Sequence, residues 1–466
     1  MALSKETAFL SVAELQAGLK EQRWTSVQLT EFFLDRLEQQ GSKYNAVVTI
    51  TRELALNEAK QADAERADGR VRGPLHGIPY GAKDLLAVPG YPTTWGAEPL
   101  RKQSIEELAT VIRRLREAGA VLVAKLAMIE LAGGFGYRQG NASFTGPVKN
   151  PWDLSRWAGG SSSGSGAAVA AGLVPFAIGS ETWGSIATPA SYCGLSALRP
   201  TYGRVSKAGA MTLSWTMDKI GPLTRTVADA EAVFAAIAGF DPEDDSTVDR
   251  PWKPYEPMDG KRLRIGKLKD PRQKLQPEIK QNLDAVFERL SKSCEIVDLE
   301  LPDLPFGTVA SVIIDCEGAA AFDDFVQSGK HWELTAPEDR PGALAAMLIP
   351  AKDYLNALRL RKRMQRELDV NLKSVDAVLD ATTATVSCPL DQDFGQYQAG
   401  FAGSALGAAS NVAGLPAIFL QSGRGEAGLP TSCQLVGRAF SDELLLSLGR
   451  RLQSETDWHR AQPAVD

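Results

Sequence analysis

Apolar residues recur along this chain at helical and at strand spacing, by turns. Leu29, Phe33 and Leu37 share one helical face behind Thr25 or Ser26, either of which suits a cap. A second helix, rich in Ala, Glu and Lys, is expected over 51–66, so residues 9–65 read as helical. Ser104 and Glu107 have the spacing of a capping box, and Leu108, Val111, Ile112 and Leu115 then share a face until Gly119 stops the helix. The apolar run 120–124 has strand length. A short helix is expected within 125–137 and irregular chain over 138–157. Thr226 or Asp229 caps a helix presenting Val227, Ala230 and Phe234. Pro277 opens another with Leu283, Val286, Phe287 and Leu290 on its face. Residues 308–370 read as helical, with a loop around Pro341-Gly342, and a last helix near Ser441 carries Leu444, Leu445 and Leu448. Strands are expected at 263–266, 294–299, 375–379 (mostly buried) and 417–420, with 429–436 pairing beside the last. Helix, short turn and buried strand in repetition predict an α/β protein. Residues 1–68 read as a helical layer packed on a larger unit, 69–466. The acidic, proline-rich stretch 240–260 reads as an exposed connection within that unit.

Composition narrows the classes. Hydrophobic residues make up 44% of the 466, enough for a sizeable core. A net charge of -6 gives no basic face for nucleic acid. Five scattered cysteines form no CxxC pair or disulfide framework, which points to a reducing compartment and a cytoplasmic location. Three histidines stand in no zinc-ligand spacing, so neither a metal nor a cofactor is expected. The first residues are too polar for a secretory signal. The longest apolar run, 167–178, is broken by Gly172 and Pro175 and falls short of a bilayer span, so no membrane association is expected.

The densest signal is a pair of Gly/Ser clusters, 159–166 and 179–185. Glycine at this density loses much backbone entropy on folding. It fits tight turns, close packing, or amides aimed at a ligand. Neither GxxxxGK[ST] nor GxGxxG is present there, and the context of Ser185 is not GxSxG. The serines suit either spacers or chemistry. Lys83, Ser161 and Ser185 are candidates for a relay in which lysine is the base, provided burial makes it neutral. The competing reading is a structural loop and a solvated lysine. Asp84, next to Lys83, would favour the charged form.

A resemblance adds to this. Gly77-Ile78-Pro79 leading to Lys83-Asp84, the run 158–166, and Gly179-Ser180-Glu181-Thr182-Trp183-Gly184-Ser185-Ile186 with Pro189-Ala190 are similar to the motifs of the amidase signature family. Cys193-Gly194, 198–203 and Gly221-Pro222-Leu223 continue the likeness, which spans most of the chain. It implies one large domain with a central mixed, twisted β-sheet covered by helices on both sides. It further implies Ser185 as nucleophile, Ser161 as proton bridge behind a cis peptide bond, and Lys83 as general base. The backbone amides of Thr182, Trp183, Gly184 and Ser185 would bind the oxyanion. Trp183 stands where many members have glycine, and Ala187 where they have arginine. The chain looks closer to a branch with Glu-Thr and a bulky or polar residue before Gly-Ser-Ile. Trp183 is thus either a structural plug or a wall of the acyl pocket. Ser162, Ser163 and Ser165 would brace the loop, and selectivity would come from 125–145, 308–345 and 385–405. The implied activity is hydrolysis of a small-molecule amide, with room for a homodimer. The alternative is the glutamine-hydrolysing A subunit of a tRNA-dependent amidotransferase, which would need a partner subunit.

Overall fold

Among the described residues, thirteen short strands are interspersed with helices. They are β1 (Val47–Ile50), β2 (Pro79–Lys83), β3 (Val121–Leu126), β4 (Lys149–Asn150), β5 (Asp153–Trp157), β6 (Phe176–Glu181) and β7 (Ser196–Arg199), then β8 (Lys219–Thr224), β9 (Arg264–Leu268), β10 (Glu295–Leu299), β11 (Ala377–Ala381), β12 (Ala417–Arg424) and β13 (Pro430–Val436). In this computed structural model, residues 3–250, 252–256 and 262–464 are described. Eleven strands form one sheet in the order β1-β3-β2-β6-β8-β7-β12-β13-β11-β9-β10. Parallel pairs (β2 with β3 and β6, β9 with β10 and β11) flank an antiparallel centre. The central mixed sheet in one α/β domain, as the resemblance implied, is what the chain adopts.

Strand alternation sends side chains into two cores. Along β12, Ile418 and Leu420 enter one, and Ala417 and Phe419 the other. The first core is closed by helices Thr110–Glu117, Val227–Ile237, Pro277–Ser291 and Asp442–Ser454 through residues such as Leu115, Phe234, Val286 and Leu445. The second is closed by Arg52–Ala67, through Ala55 and Ala59, and by Ser163–Ala170, through Ala167 and Val169. Ser26–Tyr44 contributes to both. Helices on both faces explain why β2 and β3 are buried at every position. A satellite core gathers Met217, Phe306, Ile313, Met364 and Val412 beneath helices Phe306–Ala321, Ala351–Asn371 and Leu406–Ala413.

Several local expectations need correction. No helix follows Ser104 directly: its hydroxyl bonds Glu106, and the helix begins at Thr110. The preceding backbone is committed elsewhere, with Ala109 N–H on Ala87 and Thr110 N–H on Ala208. The helix expected in 125–137 is a single 3-10 turn, Glu130–Gly133. Pro341 and Gly342 lie inside helix Asp339–Ala346, where a proline in the first turn removes no intrahelical bond. The strand β1 interrupts the stretch read as wholly helical, and the β4–β5 hairpin the stretch read as irregular. Within 240–260, residues 251 and 257–260 lie outside the described residues, while Asp241 is buried and accepts the Thr110 and Ser206 hydroxyls. Among the described residues, no helix is long and apolar enough to cross a membrane.

Candidate active site

Three neighbouring segments bring the candidate residues together. Lys83 is the last residue of β2, which runs parallel to β6. Ser161 lies between β5 and helix Ser163–Ala170. Ser185 lies in the turn joining β6 to helix Ala187–Cys193. The turns need glycine for different reasons. Gly159 has φ +88°, and a Cβ there would stand 2.7 Å from the Pro189 backbone. Gly184, with φ +87°, lets the chain reverse just before Ser185.

Lys83 Nζ is 2.7 Å from Ser161 Oγ, which is 3.0 Å from Ser185 Oγ. The Gly160–Ser161 peptide bond is cis. Ser162 N–H donates to the Ser185 carbonyl at 3.2 Å, tying the two serine loops to each other. Ser162 and Ser165 hydroxyls donate to the Ser180 and Ile178 carbonyls, and that of Ser163 to the Ser161 carbonyl. All three are thus occupied with backbone.

Lys83 is fully buried. Burial lowers its pKa to about 7, against an upward pull from Asp218 and Glu181. Asp84 plays no part in that balance. It turns away from Lys83, lies 2.8 Å from Lys125 and accepts the Thr94 amide. Glu181, also buried, accepts the amides of Ile186 and Ala187 at 2.8 and 2.9 Å and pairs with Arg199 at 2.8 Å. Burial raises its pKa, but Arg199 and Lys219 outweigh that and hold it at about 2. Glu181 therefore fastens the first turn of the helix behind Ser185.

Trp183, Gly184 and Ser185 direct no amide N–H to a protein acceptor among the described residues. Thr182 is held through its hydroxyl by Asp218 at 2.5 Å. Trp183 is 40% exposed. A Cβ built on Gly307, at the start of helix Phe306–Ala321, would lie 3.5 Å from its ring tip. A narrow cleft adjoins the site, with polar Ser180, Thr182 and Asp218 and apolar Leu85, Met211 and Leu213 in its walls.

Sequence reasoning missed Ser180, whose Oγ is 2.9 Å from Lys83 Nζ. Its position on β6, beside β2, was the available signal. It also missed Asp218 and Lys219, which sit where β8 begins beside β6. Two of the three segments expected to govern selectivity, 125–145 and 385–405, have residues beside the Ser161 loop. Ile129 N–H donates to the Ser161 carbonyl at 3.1 Å, and Phe394 stacks on Trp157 at 4.4 Å, close behind Gly160.

Comparison with known proteins gives the family. The amidase family model matches residues 28–446, and the chain belongs to the amidase signature family of amide-cleaving hydrolases. It is 34% identical to the A subunit of the glutamyl-tRNA(Gln) amidotransferase of Moorella thermoacetica, over 99% of each chain. It superposes on the native peptide amidase of Stenotrophomonas maltophilia with a TM-score of 0.84 at 30% identity, covering 98% of both chains. A chain from a vestigial complex bearing on the origins of an s-triazine catabolic enzyme gives 0.87 at 30% identity, covering 96% of this chain and 98% of that one.

Proposed function

We propose that this chain hydrolyses a small carboxylic amide through an acyl-enzyme on Ser185, with Ser161 as proton bridge and Lys83 as general base. The observation that carries this reading is the unbroken line from Lys83 to Ser185, at 2.7 and 3.0 Å, ending on a lysine whose charge burial disfavours. Neutral Lys83 takes the Ser161 proton as Ser161 takes that of Ser185. Ser185 Oγ then bonds to the amide carbon, whose π electrons move onto the oxygen. The amides of Thr182, Trp183, Gly184 and Ser185 receive that oxyanion. Collapse returns a proton through Ser161 to the departing nitrogen, and water repeats the sequence on the acyl-enzyme. Turnover of a panel of aliphatic, aryl, peptidyl and glutamine amides by wild type and S185A tests this. Equal turnover by both would overturn it.

The second reading is the glutamine-hydrolysing A subunit of a tRNA-dependent amidotransferase. It is favoured by the amidotransferase relative that matches end to end at 34% identity. It predicts co-purification with partner subunits from the native cell and strong preference for glutamine. Isolation of this chain by itself, active on other amides, rejects it. A homodimer and a cytoplasmic location remain parts of the first reading. The first is tested by light scattering, the second by fractionation.

A further inference from the structure

Behind the turn that carries Trp183 lies a second buried lysine. Lys219 opens β8 opposite Glu181 of β6, and its side chain is buried. Its Nζ is 3.1 Å from the Thr182 carbonyl oxygen and 3.0 Å from Asn411 Oδ1. Asn411 is oriented in turn by its own donation to the Gly407 carbonyl at 3.0 Å. The neighbouring Asp218 takes the hydroxyl of the same threonine. Two consecutive residues therefore grip Thr182, one by its side chain and one by its main chain.

The Thr182 carbonyl and the Trp183 N–H belong to one peptide plane, which is trans. In a trans peptide these groups point in opposite directions. The carbonyl faces inward, onto Lys219, so the Trp183 N–H faces outward. Trp183 is 40% exposed, and its N–H has no protein acceptor among the described residues. A cation or strong donor on a peptide oxygen draws electrons from the nitrogen and sharpens the N–H as a donor, an effect enlarged in a low dielectric.

We infer that Lys219 is a positioning residue for the oxyanion site: by bonding the Thr182 carbonyl it fixes and polarises the peptide whose N–H, at Trp183, receives the developing negative charge. This rests on the relay proposed above. A purely structural role explains the residue less well. Burial above all, then Arg199 and Arg361, disfavours a further cation there, Glu181 and Asp218 favour one, and the balance brings the Lys219 pKa to about 7. A neutral amide would suffice to bond Asn411, whereas the lysine amine, charged or neutral, reaches both Asn411 and the Thr182 carbonyl.

The test compares wild type, K219M and K219Q with a p-nitrophenyl ester and with the aldehyde of the same acyl group. The aldehyde adds to Ser185: the Oγ–C bond forms, the carbonyl π pair becomes the oxyanion, and the serine proton passes to the relay. K219M is expected to lower kcat for acylation about 10- to 100-fold with KM within about threefold. Its aldehyde affinity should fall by the same factor as kcat/KM, while affinity for the product acid holds. K219Q, which keeps a donor without charge, should lie between, and it decides the matter if K219M does not fold. Unchanged aldehyde affinity in a folded variant, or a loss confined to KM, overturns the inference. Wild-type protein that forms no adduct at Ser185 by mass spectrometry overturns the relay, and this inference with it. An adduct unaffected by substitution at Lys219 sinks the inference alone.

Discussion

Arg199 Nη1 lies 2.8 Å from Glu181 Oε1, and neither side chain meets solvent. The same carboxylate holds the amides of Ile186 and Ala187 through its other oxygen. One buried pair thus joins β7 and β6 to the helix behind Ser185. Removing one partner leaves a buried charge uncompensated, which typically costs about 3–5 kcal/mol. E181Q should therefore lose about that much stability in denaturant titration and lose activity with it. A loss below about 1 kcal/mol would mean that Arg199 finds another partner.

Ser185 and Ser161 should differ in what their removal costs. S185A removes the proposed nucleophile and is expected to lower turnover by about 10⁴-fold or more. S161A leaves Ser185 in place but removes the proposed proton bridge, an expected loss of about 10²- to 10⁴-fold. Because both hydroxyls are small, melting temperatures should change little. Wild-type rates in S161A would show that Lys83 reaches Ser185 without the bridge.

The proposed role of Lys83 fixes a pH dependence. Its pKa is brought to about 7, chiefly by burial. Only the neutral amine accepts a proton, so kcat/KM should be level above pH 7 and fall tenfold per unit below it. The sign follows from a base whose charged form is disfavoured inside the protein. K83R, which stays charged, should be inactive throughout. A flat rate from pH 5 to 8 would exclude lysine as the base.

Much of this architecture is written in local pattern. Leu29, Phe33 and Leu37 mark a helix because its buried face needs them at that spacing, and Thr25 does cap it. The run at 120–124 marks β3 because a strand covered on both faces must be apolar throughout. What escaped was decided by long-range partners. Ser104 has a capping pattern, yet the Ala109 and Thr110 amides are drawn to Ala87 and Ala208. Four residues of β1 are a strand only because β3 offers an edge.

The candidate site follows the same division. Its serines could be picked out, since glycine clusters are conspicuous. Its electrostatics could not. Asp84 adjoins Lys83 in sequence but pairs with Lys125, whereas the carboxylates that act on Lys83 are those of Asp218 and Glu181. Sequence neighbours do not predict charge neighbours where the chain turns at the end of a strand.

Trp183 is the residue on which selectivity is expected to turn. Its ring is partly exposed, reaches Gly307 and stands two positions before Ser185. A half-exposed ring contributes little to the core, so W183A should keep stability within about 1 kcal/mol. Removing an indole from a pocket wall should change the ratio of kcat/KM between a bulky and a small amide by more than tenfold. If that ratio stays fixed while stability falls, the tryptophan is a plug.

The pair Glu130 and Asp339 gives a prediction in stability alone. Glu130 accepts the amides of Thr335 and Ala336 at 2.9 and 2.8 Å, fastening that segment one residue from Ile129, whose N–H meets Ser161. Asp339 is buried beside it, and burial, with Glu130 and Glu338 adding to it, raises its pKa to about 8. It is therefore protonated in the folded protein at neutral pH and ionised in the unfolded chain. The unfolded state binds fewer protons between about pH 4 and pH 8, so this group makes stability fall as pH rises through that window and level off above it. D339N keeps a neutral donor and cannot ionise. Its melting temperature should exceed that of wild type by more at pH 8 than at pH 5, in thermal scans at matched ionic strength. An equal difference at both values would mean that Asp339 is ionised in the native state.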